Sequence, residues 1–225
     1  MQFGGAGWGT PSAPLGTHTQ GHPTLLLDLR WRDGGGWYAV HGGCQSGITA
    51  LQGPASDSLF RLLAGEHLPY AGKVMLDGGH VLEGTARPRS LFLPPVVRVP
   101  ETDGLPHWQT ATRLVRAQAR AQGPRGAAAQ ARAMQALGWM GITSLGWRPI
   151  GSLASEQRAR VAVAGALVLV PGLLLWRPPA GLAPQARAAL CETIGALMRR
   201  WGSVALIASE EEMRCAPCLQ VVRVM

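Results

Sequence analysis

The sequence predicts an α/β fold with a mixed sheet and an all-helical insertion. Short apolar runs of strand length alternate with stretches whose leucines or alanines recur at helical spacing. Gly and Pro punctuate the ends of those runs. Residues 105–150 change character: they are rich in Ala, Gln and Arg and carry no strand pattern, which marks a separate helical insertion.

Taken in order, residues 1–23 are rich in Gly, Pro, Ser and Thr and read as a flexible tail. Thr24 to Trp31 reads as a strand, with a turn at Asp33-Gly34-Gly35-Gly36 and an edge strand at Trp37 to Val40. Gly47 to Gln52 is a short apolar strand broken by Gly53-Pro54. Ser58 to Ala64 has leucines at helical spacing and stops at Gly65. Lys73 to Asp77 and Ser90 to Leu93 are strands, the second stopped by Pro94-Pro95. Helices follow, broken at Gly123-Pro124, and Ser155 to Val170 is one long helix. Leu173 to Trp176 is a buried strand, Pro184 to Trp201 an amphipathic helix, Val204 to Ala208 a strand and Leu219 to Val224 the last strand.

Composition narrows the chemistry. At 225 residues and 47% hydrophobic, the chain can bury a sizeable core. The net charge is +8, yet Lys73 is the sole lysine, so a lysine-based phosphate loop or Schiff base has no candidate elsewhere. The aspartates are Asp28, Asp33, Asp57, Asp77 and Asp103, which leaves none for the second half. The N-terminal stretch lacks the basic and apolar regions of a signal peptide. Val161 to Trp176 is short for a membrane span and is broken by Pro171-Gly172. Cys215 and Cys218 have CxxC spacing, but a closed zinc site needs four ligands and no second CxxC exists. His18 and His22 fall in the tail, where no rigid helix converges them on a metal. Arg113, Arg116 and Arg120 share a helix face without interleaved aromatics, so a solvated face is expected there and nucleic acid is not an expected partner.

The order of segments resembles the ATP-binding cassette (ABC) ATPases that drive membrane transporters. "GITALQGP" at 47–54 is similar to the strand entering that family's Walker A loop. "LFRLLAGEHLPYAGKVMLDG" at 59–78 resembles the helix and strand after it. "LASEQRARVAVAGALVLVP" at 153–171 resembles the signature helix, "LLLWRPPAGLAP" at 173–184 the Walker B strand and D-loop, and "VALIASEEE" at 204–212 the strand and switch that follow. The resemblance implies a P-loop NTPase-like core in two parts, 24–104 and 151–225, around a helical subdomain at 105–150, with antiparallel edge strands.

Under that resemblance the nucleotide positions carry unexpected residues. A working loop of the pattern GxxxxGK[ST] needs glycines, a lysine and a magnesium-binding hydroxyl. Here Gly53 and Pro54 lead through Ala55, Ser56, Asp57 and Ser58 into the helix, about three residues short of that pattern and without lysine. Asp57 puts a carboxylate where phosphate sits in the family, and a helix-capping role is expected for Ser56, Asp57 or Ser58. The Walker B acids fall on Trp176 and Arg177, the loop glutamine on Pro95, the switch histidine on Ser209 and the D-loop aspartate on Ala183. The signature reads Leu153, Ala154, Ser155, Glu156, Gln157, in which Glu156 adds a charge that repels phosphate. Trp31 is the candidate for an adenine-stacking aromatic.

Apolar strands are kept while nucleotide positions are not. The expectation is a non-catalytic, pseudo-ATPase subunit that binds neither ATP nor Mg²⁺, sits on the inner face of the membrane and touches it only through a permease. A second cassette or another copy of the chain is the further expected partner. The alternatives are an unusual but active ABC ATPase, and a soluble scaffold or nucleic-acid-binding regulator that reuses the fold.

Overall fold

A computed structural model describes residues 24–67, 69–77, 79–83, 96–121, 123–208, 218–220 and 222–224. The tail, His18, His22, the strand expected at Ser90 to Leu93, Pro95, Ser209 and Cys215 lie outside the described residues.

The chain opens with a hairpin of β1 (Leu25–Asp33) and β2 (Gly36–Cys44). Gly34 and Gly35 connect them with φ of 54° and 83°, the left-handed pair that a two-residue hairpin turn requires. β3 (Gly47–Gln52) runs into α1 (Ser56–Leu63), then β4 (Ala71–Leu76) and β5 (Gly79–Glu83). β6 (Val96–Arg98) leads to the helical insertion, α2 (Ala111–Ala121) and α3 (Gly126–Trp139). The chain returns through α4 (Ser155–Leu167), β7 (Leu173–Trp176), α5 (Pro184–Trp201) and β8 (Val204–Ala208), followed by β9 (Cys218–Gln220) and β10 (Val222–Val224).

These strands form two five-stranded sheets. One is antiparallel, in the order β10-β2-β1-β4-β5. The other is parallel, in the order β6-β7-β8-β3-β9. β7 is buried along its whole length, as a strand covered on both faces must be. The pleat splits its side chains. Leu173 and Leu175 join Leu25, Leu27, Leu29, Phe60 and Leu62 in a core between the sheets and α1. Leu174 and Trp176 join residues of α3, α4 and α5 in a second core.

Sequence expectation and structure differ in five places, the first being β5, which the sequence reading does not expect after Asp77. β2 is longer than Trp37 to Val40 and is internal, because β10 pairs along its outer side. The last strand is two strands: β9 pairs with β3 in the parallel sheet and β10 with β2 in the antiparallel one. β6 lies beyond Pro95, where no strand is expected, since three residues are too few to signal one by alternation. The long helix stops at Leu167, since Val170 adopts φ 48°, which a right-handed helix cannot continue through.

Candidate functional site

Three residues, Gly53, Pro54 and Ala55, separate the end of β3 from α1. Gly53 has φ 108°, and Ala55 stands at the helix N-cap in the left-handed region, φ 62°. The expected capping role is not seen: α1 has no side-chain cap. Both serines turn backwards. The Ser56 hydroxyl donates to the Gly53 carbonyl at 2.7 Å, and the Ser58 hydroxyl to the Ala55 carbonyl at 3.0 Å. The geometric reason is position, since an N-cap side chain must precede the first turn and these serines lie within it. The alanine at φ 62° costs about 1–2 kcal/mol against a right-handed conformation. Ala55→Gly is therefore expected to raise stability by about 0.5–1 kcal/mol after the extra chain entropy of glycine, measured by urea denaturation.

Trp31 is 3% exposed and its indole N–H donates to the Ser58 hydroxyl at 2.7 Å. It is therefore a core residue that ties β1 to α1, and its ring offers no face for adenine. The pleat explains this: Trp31 continues the inward series Leu25, Leu27, Leu29.

Asp57 lies in the first turn of α1, where a carboxylate suits the helix dipole. Two guanidiniums hold its Oδ1: Arg98 Nη2 at 3.4 Å from the end of β6 and Arg177 Nη1 at 3.5 Å from the end of β7. Arg98 Nη1 also reaches Glu66 Oε1 at 3.6 Å, and Glu66 Oε2 accepts from Arg61 Nε at 3.3 Å. The alternating cluster Arg61–Glu66–Arg98–Asp57–Arg177 thus spans the tip of the parallel sheet. Its members are roughly a third to a half exposed, so each pair contributes at most about 1 kcal/mol. Trp176, one residue before Arg177, is 2% exposed and belongs to the opposite core.

At the start of α4, Ala154 is the N-cap and Gln157 Oε1 accepts from the Ala154 backbone N–H at 3.0 Å. The Glu156 carboxylate is engaged by Arg160, whose Nη2 and Nε lie 2.8 and 3.1 Å from Oε1. Arg160 Nη1 in turn donates to the Met140 carbonyl at 2.9 Å, fastening α4 to the end of α3. The charge of Glu156 is accordingly neutralised within the protein. Ala183 is the N-cap of α5, with Pro184 in the first helical turn.

A cavity of about 650 Å³ brings several of these positions together. Ser155, Trp176 and Arg177 line it, as do Glu101, Asp103 and Arg187, which no sequence motif singles out. Glu101 closely follows β6, and only the register of β6 on β7 reveals that it faces this space. Arg61, Glu66 and Arg98 likewise carry no local signal of the cluster they form.

Arg113 and Arg120 are exposed on α2, and Arg116 donates to Gln130 on α3 at 3.4 Å. Among the described residues no cluster of three metal-ligating side chains exists, and no helix is long and apolar enough to cross a membrane. Cys44 and Cys191 are buried thiols. Burial pushes Cys44 up from 9.0 to about 11. An acid raised in the folded state stabilises the fold below its unfolded value. Stability should hold below about pH 8 and fall by about 2 kcal/mol between pH 9 and 11 as the unfolded thiol ionises first. Cys44→Ala should remove that alkaline loss in denaturation series across pH.

No family model matches the chain. It is 28% identical over 177 residues to mouse ATP-binding cassette sub-family A member 7, covering 78% of this chain and 8% of that protein. It is 34% identical over 134 residues to the taurine import ATP-binding protein TauB of Sinorhizobium fredii, covering 60% of this chain and 47% of that one. It is 27% identical over 183 residues to the Fe(3+) ions import ATP-binding protein FbpC of Vibrio cholerae, covering 79% and 50%. The chain thus spans half or less of the length of these relatives. Among solved structures, cbiO1 of Clostridium perfringens, part of the ABC transporter complex cbiONQ, superposes with a TM-score of 0.70 at 21% identity, covering 84% of this chain and 79% of that one. The ADP conformation of the ATP-binding cassette MJ1267 gives 0.69 at 17% identity, covering 85% and 83%. The two-sheet architecture, the order of segments and these likenesses agree: the chain has the ABC ATPase fold and is similar in sequence to an ATP-binding cassette protein and to import ATP-binding proteins.

Proposed function

We propose that the chain is a non-catalytic cassette subunit of a membrane ABC transporter, a structural or regulatory partner of its permease that does not bind or hydrolyse MgATP. One observation carries this reading: Asp57, in the loop-to-helix turn that cradles phosphate in active cassettes, is held by Arg98 and Arg177. A triphosphate–magnesium complex needs an ammonium and backbone donors for its phosphates and carboxylates for its metal. The residues present do not fit it. The carboxylate stands on the phosphate side and the guanidinium on the metal side, each satisfying the other. Trp176 is turned into the core, and the shortened loop has no lysine.

The relatives support the transporter half of the reading, since two of them are named as import ATP-binding proteins. Such a subunit is peripheral on the inner face of the cell membrane and reaches it through the permease. It pairs there with a second cassette or with its own copy. Beside an intact cassette it would weaken both composite sites, because its Walker-like and signature-like positions are both replaced. The test is gentle capture of the tagged chain from solubilised membranes, with partners identified by mass. Recovery with a permease is expected, whereas recovery as a lone soluble protein contradicts the proposal.

A further inference from the structure

We infer that the outer face of the antiparallel sheet is a docking surface for single-stranded nucleic acid. β1 turns Leu25, Leu27, Leu29 and Trp31 inward and leaves Asp28, Arg30 and Arg32 exposed. In the register Arg32 lies opposite Trp37 on β2, and Lys73 on β4 lies opposite Asp28. Tyr70 is anchored beside them by its backbone N–H, which donates to the Arg30 carbonyl at 2.9 Å. Its ring meets Trp37 edge to face, with centroids 4.8 Å apart at 80°.

Tyr70 is 69% exposed and Trp37 37%. Two large aromatics held against each other on an open, arginine-bearing sheet are poorly explained by packing, since both rings keep surface in water. They suit bases, whose faces stack on aromatic rings without regard to sequence. Arg30 and Arg32 are two positions apart on one strand, about 7 Å by the strand rise, a repeat that tracks successive phosphates of an extended single strand. Arg30 is flanked in the register by Ala39 and Ala71, so the surface beside the rings is low and has room for a base. The face carries both signs, since Asp28 and Glu83 are the register neighbours of Lys73. Among the described residues no acidic group pairs with Arg30 or Arg32, which leaves these two guanidiniums for phosphates. An anionic lipid surface would use the cations equally, but its headgroups present no flat face for the two rings to stack on. The arginines of α2 have no aromatic residue on their own helix.

The test uses the full chain and labelled oligothymidylate and oligouridylate of about 16 nucleotides, the upper end of single-strand site sizes, read by fluorescence anisotropy over a salt series. Binding of either oligomer at low salt is expected. Tyr70→Ala should weaken it roughly 5- to 150-fold, the worth of one stacked base, and Tyr70→Phe should restore it. Changing Arg30 and Arg32 to Gln should lower the salt slope by about 0.7 for each phosphate no longer neutralised. The inference is overturned if neither oligomer binds at low salt, if Tyr70→Ala binds as well as the unaltered chain, or if anionic phosphatidylglycerol vesicles bind and the oligomers do not.

Discussion

Trp31→Ala is expected to destabilise the fold by roughly 3–5 kcal/mol, the range for truncating a buried aromatic ring. The ring is 3% exposed and packs with Leu25, Leu27, Leu29 and Leu59 between the sheets and α1. Its N–H also donates to the Ser58 hydroxyl, so truncation leaves that hydroxyl bonded to the Ala55 carbonyl alone of its two partners. Trp31→Phe should cost less, since most of the ring volume stays and about 1 kcal/mol of hydrogen bonding goes. Ser58→Ala should cost about 1–3 kcal/mol by leaving the indole N–H buried and unpaired. Chemical denaturation checks all three. Near-native stability of Trp31→Ala would mean that the ring is a surface platform and not part of the core.

The second large effect is Gly72→Ala. Gly72 sits in β4 at φ 110°, a conformation that side chains rarely adopt, and a Cβ there would overlap the Asp28 carbonyl oxygen on β1. Backbone cannot move aside as a flexible side chain can. We expect a loss of about 3 kcal/mol or more, from strain and overpacking together, measured by urea denaturation. Gly104→Ala is the matching control, because nothing lies within 4 Å of its added Cβ and its φ is not positive. Its stability should change by less than about 0.5 kcal/mol.

These two positions also show what a sequence discloses and what it withholds. The inward series of β1 is legible, because alternation of apolar residues names a buried face. That Trp31 belongs to that face follows from the same alternation. Its place in a nucleotide-like site points instead towards a ligand, and the hydrogen bond to α1 decides for the core. Buried strands such as β7 and β8 are legible because a strand covered on both faces is a continuous apolar run. The division of the final strand between two sheets is not, since pairing partners leave no local mark in the chain.

The candidate site is half legible. Residue types at Asp57, Trp176 and Arg177 raise the question of whether they serve a nucleotide or the fold itself. The answer depends on pairings that the fold makes, Asp57 with Arg98 and Arg177, and Glu156 with Arg160. A charge written in sequence looks like one offered to a ligand. In the fold, both carboxylates are satisfied by guanidiniums of the protein itself.

Nucleotide binding is tested by calorimetric titration of the purified full chain with ATP in the presence of magnesium, repeated with Asp57→Asn. Because the ion pairs around Asp57 are half-exposed, the variant should fold with a stability change of about 1 kcal/mol or less. We expect no saturable heat from the unaltered chain. Saturable micromolar binding that depends on magnesium and is altered by Asp57→Asn would contradict the pseudo-ATPase reading, and would place a working nucleotide site where the structure holds an internal ion pair.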